Sequence, residues 1–261
     1  MGVIDTKAWL KDFGYQPIRI CEELSTYFNG NKAGDIYEYL SLFGMYRSSI
    51  FTRRDDVELF LEQNYWKIVK KEFEVLKKKW NGPDIPIFIL PVNQRQTEIM
   101  KENKGKSGVA FDDKLFLFFA IKVDESEIKA LLTHEYNHVC RLNYISKKEE
   151  DITLLDTIIL EGLAEHAVRE HCGNEFVAYW TKLYSTEQLE KWWSELVYPN
   201  KFKHKNDKES QEILYGLKSN PKMLGYCVGF YLIDLLLEEK KYSLKKIEKM
   251  KTEKIIKLLK V

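Results

Sequence analysis

Apolar side chains recur at three- and four-residue spacing along most of this chain, with one stretch of different character after Pro83. Trp9 and Leu10, then Ile20 to Tyr27, then Ile36 to Tyr46 give short amphipathic segments broken at Gly14-Tyr15-Gln16-Pro17 and Asn29-Gly30-Asn31. Val57, Phe60, Leu61, Tyr65, Ile68, Val69, Phe73 and Leu76 form a broad apolar stripe, which predicts one long helix from about Asp55 to Trp80. Asn81-Gly82-Pro83 stops it, since Asn and Gly accept left-handed backbone and Pro cannot continue a helix. Beyond Pro83, Ile85-Pro86-Ile87-Phe88-Ile89-Leu90 reads as a strand. Gly108 to Phe111, Asp112-Asp113 and Lys114 to Ile121 read as a hairpin with a tight turn. Its second arm, Leu115 to Phe119, is apolar on both faces and should be buried. Helical spacing then resumes over Glu125 to Ile145, and over Thr153 to Cys172, closed by Gly173. Helices also follow near Thr186 to Leu196, with Ser185 and Gln188 spaced as a capping box, and over Met223 to Glu239. A lysine-rich final helix after Ser243 carries Ile247, Met250, Ile255, Leu258 and Leu259 on one side. The expected fold is α+β, mainly helical, with a small mixed or antiparallel sheet. A border near Asn81–Pro83 separates an N-terminal helical subdomain, residues 1–82, from a second domain, residues 83–261.

Two of these helices carry the chemistry. The one from Glu125 contains His134-Glu135-x-x-His138, and positions i and i+4 lie about 40° apart around a helix and about 6 Å along it. Both imidazoles therefore reach one tetrahedral metal, with Glu135 on the same wedge. On a helical wheel Ile128, Leu131, Leu132, Val139 and Leu142 form an apolar arc, and His134, Glu135 and His138 overlap its edge. They belong where a core meets a cleft, although a pair of core histidines is the competing reading of the two rings alone. The next helix bears on that choice. Leu154, Leu155, Ile158, Ile159, Leu160, Leu163, Ala164, Ala167 and Val168 make it apolar almost all round, so it is buried. Yet it carries Glu161 and Glu165, and a buried carboxylate needs a cation or strong donors. A zinc ion supplies the first partner, and the imidazole N–H of a metal-bound His the second. Gly162 costs about 1 kcal/mol against Ala inside a helix. Close approach of the two motif helices around the metal would explain it.

Bulk properties narrow the setting. Apolar residues at 44% and aromatic ones at 13% mark a folded chain. With 41 basic against 40 acidic side chains there is no electrostatic footprint for nucleic acid. Cys21, Cys140, Cys172 and Cys227 form no C-x-x-C pair, and no secretory signal precedes them, so they read as buried thiols. The apolar run Tyr226 to Leu237 is shorter than the about 20 residues a bilayer span needs, and it contains Asp234. The expectation is a soluble, cytoplasmic protein without a membrane span.

His134-Glu135-x-x-His138 followed by Glu161-x-x-x-Glu165 resembles the gluzincin group of zinc metallopeptidases. More narrowly, Thr133-His134-Glu135-x-x-His138 with Leu160-Glu161-Gly162-Leu163-Ala164-Glu165 is similar to the YjaZ-like family of predicted zinc-dependent proteases. Met1-Gly2-Val3 with Trp9-Leu10, Phe43-Gly44-Met45-Tyr46 and Gly225-Tyr226-x-x-Gly229 look like that family too. The resemblance implies a zincin-like catalytic domain over 83–261 and one Zn2+ per chain, held by His134, His138 and Glu161. It implies that Glu165 braces the first His. A zinc-activated water would attack a bond of a peptide or protein substrate, with Glu135 as general base. Tyr226 falls on the position of the oxyanion-stabilising residue, with Tyr231, Tyr215 and His204 as rivals. His166 and His171 receive no catalytic role. In gluzincins an edge strand pairs with an extended peptide, which points to the Gly108–Ile121 hairpin. One departure is the 22 residues between His138 and Glu161, more than in thermolysin-like enzymes. The Lys147-Lys148-Glu149-Glu150-Asp151 connection accommodates them. The alternative is a zinc-binding chaperone-like or interaction protein with a protease-derived but inactive site. Glu135 speaks against a purely structural zinc site, which needs no base.

Overall fold

The chain enters on an extended pair, Gly2–Val3 (β1), which is too short to leave a periodic signal in a stretch that reads as helical. The structure, a computed structural model, describes residues 1–47, 54–238 and 242–259. These fall into two compact units, Met1–Val139 and Cys140–Val261.

In the first unit the short amphipathic segments become α1 (Thr6–Phe13), α2 (Pro17–Leu24) and α3 (Ala33–Leu42). Pro17 opens α2, where its missing N–H costs nothing. The expected long helix over Asp55–Trp80 is instead two, α4 (Arg54–Leu61) and α5 (Tyr65–Trp80). A tertiary contact fixes the head of α5. The Tyr65 side chain is buried and its hydroxyl lies 2.8 Å from the Ala120 carbonyl and 2.9 Å from that of Ile121. Asn81, at φ 52°, ends α5 with its N–H on the Lys77 carbonyl.

β2 (Pro86–Pro91), α6 (Thr97–Lys101), β3 (Lys106–Ala110) and β4 (Leu115–Phe119) follow. The sheet runs β1-β2-β4-β3. β1 and β4 flank β2 in parallel, with Ile87 opposite Leu115, and β3 pairs antiparallel with β4, with Gly108 opposite Leu117. The sheet is mixed, and the two interior strands are buried along their whole length, as strands apolar on both faces must be. β3 is an edge. α7 (Glu125–Ile145), with the bounds the sequence predicts, runs across the border between the units.

The second unit opens with α8 (Leu154–His171), followed by α9 (Thr186–Trp192), α10 (Lys208–Tyr215) and α11 (Leu224–Glu238). The expected end of the last, Glu239, lies outside the described residues. Ser185 and Gln188 form the anticipated capping box on α9, which widens into a π-type turn over Trp193–Val197. The single final helix of the sequence reading is two short ones, α12 (Leu244–Ile247) and α13 (Thr252–Leu258). Arg141 explains the interruption. Its guanidinium, 1% exposed, donates to the carbonyls of Glu248 and Met250, which the break leaves without helical partners, and to Thr252 Oγ1 at 3.2 Å. Burial lowers its pKa to about 10, so it stays charged near neutral pH. Among the described residues the four cysteines form no disulfide with one another, Cys172 is half-buried where the sequence predicts a buried thiol, and no helix is long and apolar enough to cross a membrane.

Asp156 anchors the entry to α8. It completes a capping box with Thr153 and takes the Lys147 ammonium at 2.8 Å. Burial pushes its pKa up, but Lys147 and the Thr153 and Thr252 donors outweigh this, and the net shift is downward. A depressed carboxylate stabilises the fold above its unfolded pKa and loses that contribution as pH falls through the folded one. Asp156→Ala is expected to cost about 1–3 kcal/mol at neutral pH. Urea denaturation of variant and wild type should therefore converge towards pH 3.

Candidate metal centre

Residues 128 to 140 of α7 are almost continuously buried, and the predicted arc of Ile128, Leu131, Leu132 and Val139 lies in the core, with Leu142 half-buried. At its edge His134 is half-buried, while Glu135 and His138 are each 7% exposed. The two imidazoles, one helical turn apart, have ring centroids 4.5 Å apart at 76°. α8 is buried without a break from Glu161 to Val168, carboxylates included.

One nitrogen of His134, one nitrogen of His138 and one carboxylate oxygen of Glu161 all lie within 4.8 Å of one another. Two imidazoles and a carboxylate are the donor set of a catalytic zinc site, which leaves a fourth position for water or substrate. By donor chemistry and spacing the three residues fit that ion. Glu135 sits beside them under a bare stretch of the edge strand. A Cβ placed on Gly108 would lie 2.6 Å from Glu135 Cγ and 2.7 Å from its Cδ. Glu165, one turn beyond Glu161, accepts the backbone N–H of Ala178 on Oε2 at 2.7 Å.

Gly162 does mark a close helix approach, but its partner in contact is α11 rather than the His-bearing helix. A Cβ at 162 would meet the Gly229 carbonyl oxygen at 2.2 Å, and one at 229 would meet the Ile158 carbonyl oxygen at 2.1 Å. This crossing of bare backbones presses the first turn of α11, with Tyr226, towards α8. Tyr226 lies against Trp180, with ring centroids 5.3 Å apart, and against Tyr215 at 5.8 Å. The Tyr215 and Tyr226 side chains are hydrogen-bonded to each other. Burial around its hydroxyl and the negative charge of Glu161 raise the Tyr215 pKa, and the bond to Tyr226 offsets part of that rise. The Met223 N–H on the Tyr215 carbonyl, at 3.0 Å, keeps the end of α10 beside the start of α11.

The other sequence candidates go elsewhere. His204 pairs with Thr153 ahead of α8, eight positions before Glu161 and so about 12 Å along the helix. Tyr231 is buried, with the charge of Glu190 acting on it. His166 is 1% exposed, stacked on Phe230 with Nε2 at 3.0 Å from that residue's carbonyl, and burial lowers its pKa to about 4. It is a neutral packing residue. Sequence reasoning missed Trp180, Ala178 and the role of Gly108. The first two sit in an irregular stretch with no periodicity, and Gly108 carried a signal only as a glycine inside a predicted strand.

A family model described as Predicted Zn-dependent protease (DUF2268) matches residues 65–257. The Uncharacterized protein YjaZ of Bacillus subtilis (strain 168) is 39% identical over 250 residues, covering 93% of this chain and 94% of that protein. The Uncharacterized protein YjfC of the same organism is 32% identical over 63 residues, 24% of this chain and 21% of that one. No solved structure matches.

Proposed function

We propose, because this chain belongs to the family described as Predicted Zn-dependent protease (DUF2268), that it is a zinc metallopeptidase of gluzincin type with a zincin-like catalytic domain. The observation that carries the reading is the grouping of His134, His138 and Glu161 donor atoms within 4.8 Å, with Glu135 alongside. These three residues would hold one Zn2+, which when bound supplies Lewis acidity towards a carbonyl and lowers the pKa of water. Glu135, 7% exposed beside the three donors, accepts the proton of the attacking water and hands it to the leaving amine. Glu165 orients the first histidine from the same helix that presents Glu161. Tyr226, steadied by Tyr215 and Trp180, donates its hydroxyl to the oxyanion that forms on the scissile carbonyl. β3, an edge strand, offers backbone groups to an extended peptide.

The test is metal quantification on protein purified without chelator, combined with a peptide-library digest. We expect close to one zinc per chain, and cleavage that disappears with chelator and returns with added zinc. Zinc at that level without cleavage would leave a metal-binding protein whose site no longer turns over. Absence of zinc would sink both readings.

A further inference from the structure

The catalytic helix and the edge strand meet at one place where a side chain has been left out. Gly108 is the middle residue of β3, paired with Leu117 of β4, and its backbone is not in the left-handed region that favours glycine. Conformation therefore does not require glycine here. What does is the space: a Cβ would lie 2.6 Å from Glu135 Cγ and 2.7 Å from both Cδ and Oε1. The three nearest atoms all belong to the Glu135 side chain. β3 is also pinned along α7 by a second contact two residues away. Lys106 Nζ lies 2.7 Å from Glu127 Oε2, and Lys104 takes the other oxygen of that 6%-exposed carboxylate. Residues 106 and 108 share one face of the strand. The ion pair therefore sets which residue of β3 faces Glu135.

We propose that Gly108 is a positioning residue for the general base: the bare backbone at 108 is the wall against which the Glu135 carboxylate rests. This rests on the peptidase reading above and adds to it the element that fixes the base. The nearest of the clashing atoms, Cγ, is placed by rotation about the Glu135 Cα–Cβ bond and carries Cδ and Oε1 with it. A methyl at 108 therefore turns the whole side chain and takes the carboxylate off its place, while the three nearest atoms include no backbone that would have to shift.

Gly108→Ala should keep the thermal midpoint and zinc content of the wild type, lose about 10²-fold in kcat, and leave KM within about twofold. Glu135→Asp withdraws the carboxylate by one methylene. In that background Gly108→Ala should cost much less than it does in the wild type, a non-additivity that reports contact between the two sites. A crystal structure of Gly108→Ala reads the Glu135 position whether or not the chain cleaves peptides, and the carboxylate should be swung off its wild-type place with β3 unmoved. An unmoved carboxylate beside a shifted strand would overturn the proposal, as would unchanged kcat in an active wild-type background or strictly additive losses. A wild type that cleaves nothing counts against the peptidase reading, and the structure of the variant still decides this one.

Discussion

Glu135→Gln is expected to bind zinc as the wild type does and to lose about 10²- to 10⁴-fold in peptide hydrolysis, the range typical of a positioned general base. The substitution is nearly isosteric. It keeps an amide where the carboxylate lay under Gly108, so neither α7 nor β3 has cause to move. The three residues grouped to hold a metal are others, His134, His138 and Glu161. What the amide lacks is the basicity to take a proton from water and give it to the leaving amine. The loss should therefore fall on kcat, with KM little changed. Zinc content measured on the same preparation separates the possible causes. Full zinc with residual activity near background supports the base assignment. Loss of zinc would mean that Glu135 belongs to the ligand set, and undiminished hydrolysis would require another base.

Much of this site is legible in the chain because two helices carry it, and helices announce themselves by periodicity. α7 begins and ends at the residues the pattern predicts, and α8 differs by one residue at each end. The anomaly that pointed to a ligand, carboxylates on a helix apolar all round, is an argument about burial, and the burial of Glu161 and Glu165 agrees with it. The family follows from the same residues. Periodicity failed where a contact distant in sequence decided the backbone. The interruption between α12 and α13 depends on Arg141, more than a hundred residues earlier, collecting carbonyls that a continuous helix would have used. The split of α4 from α5 occurs beside a Tyr65 tied to Ala120 and Ile121. Glycines were the least readable residues. Gly162 announces a close approach, but nothing local says to which helix, and Gly108 reads only as a glycine inside a strand.

Those two glycines should fail in different ways under the same substitution, Gly108→Ala in kcat at wild-type stability and Gly162→Ala in stability itself, which makes the second the more damaging. On helix propensity alone it would gain about 1 kcal/mol. Its methyl would instead meet the Gly229 carbonyl oxygen at 2.2 Å and the carbonyl carbon at 2.5 Å, atoms of a neighbouring helix backbone that no rotamer change removes. The space cannot be recovered on the α11 side either, because Gly229 is itself packed on the Ile158 carbonyl. α8 and α11 must separate by more than an ångström, and both lie in the core of the second unit. Overpacking typically costs about 1–3 kcal/mol when side chains can yield. With backbone on both sides the expected loss is at least about 3 kcal/mol, read as a lower urea midpoint at unchanged m-value. The displacement also carries Glu161, next to Gly162, and Tyr226, three residues before Gly229, away from each other. Any folded Gly162→Ala protein should therefore hold zinc more weakly, a measurement independent of hydrolysis. Wild-type stability and zinc affinity in this variant would show that the crossing of α8 and α11 is looser than the distances imply, and that the placement of Glu161 does not depend on it.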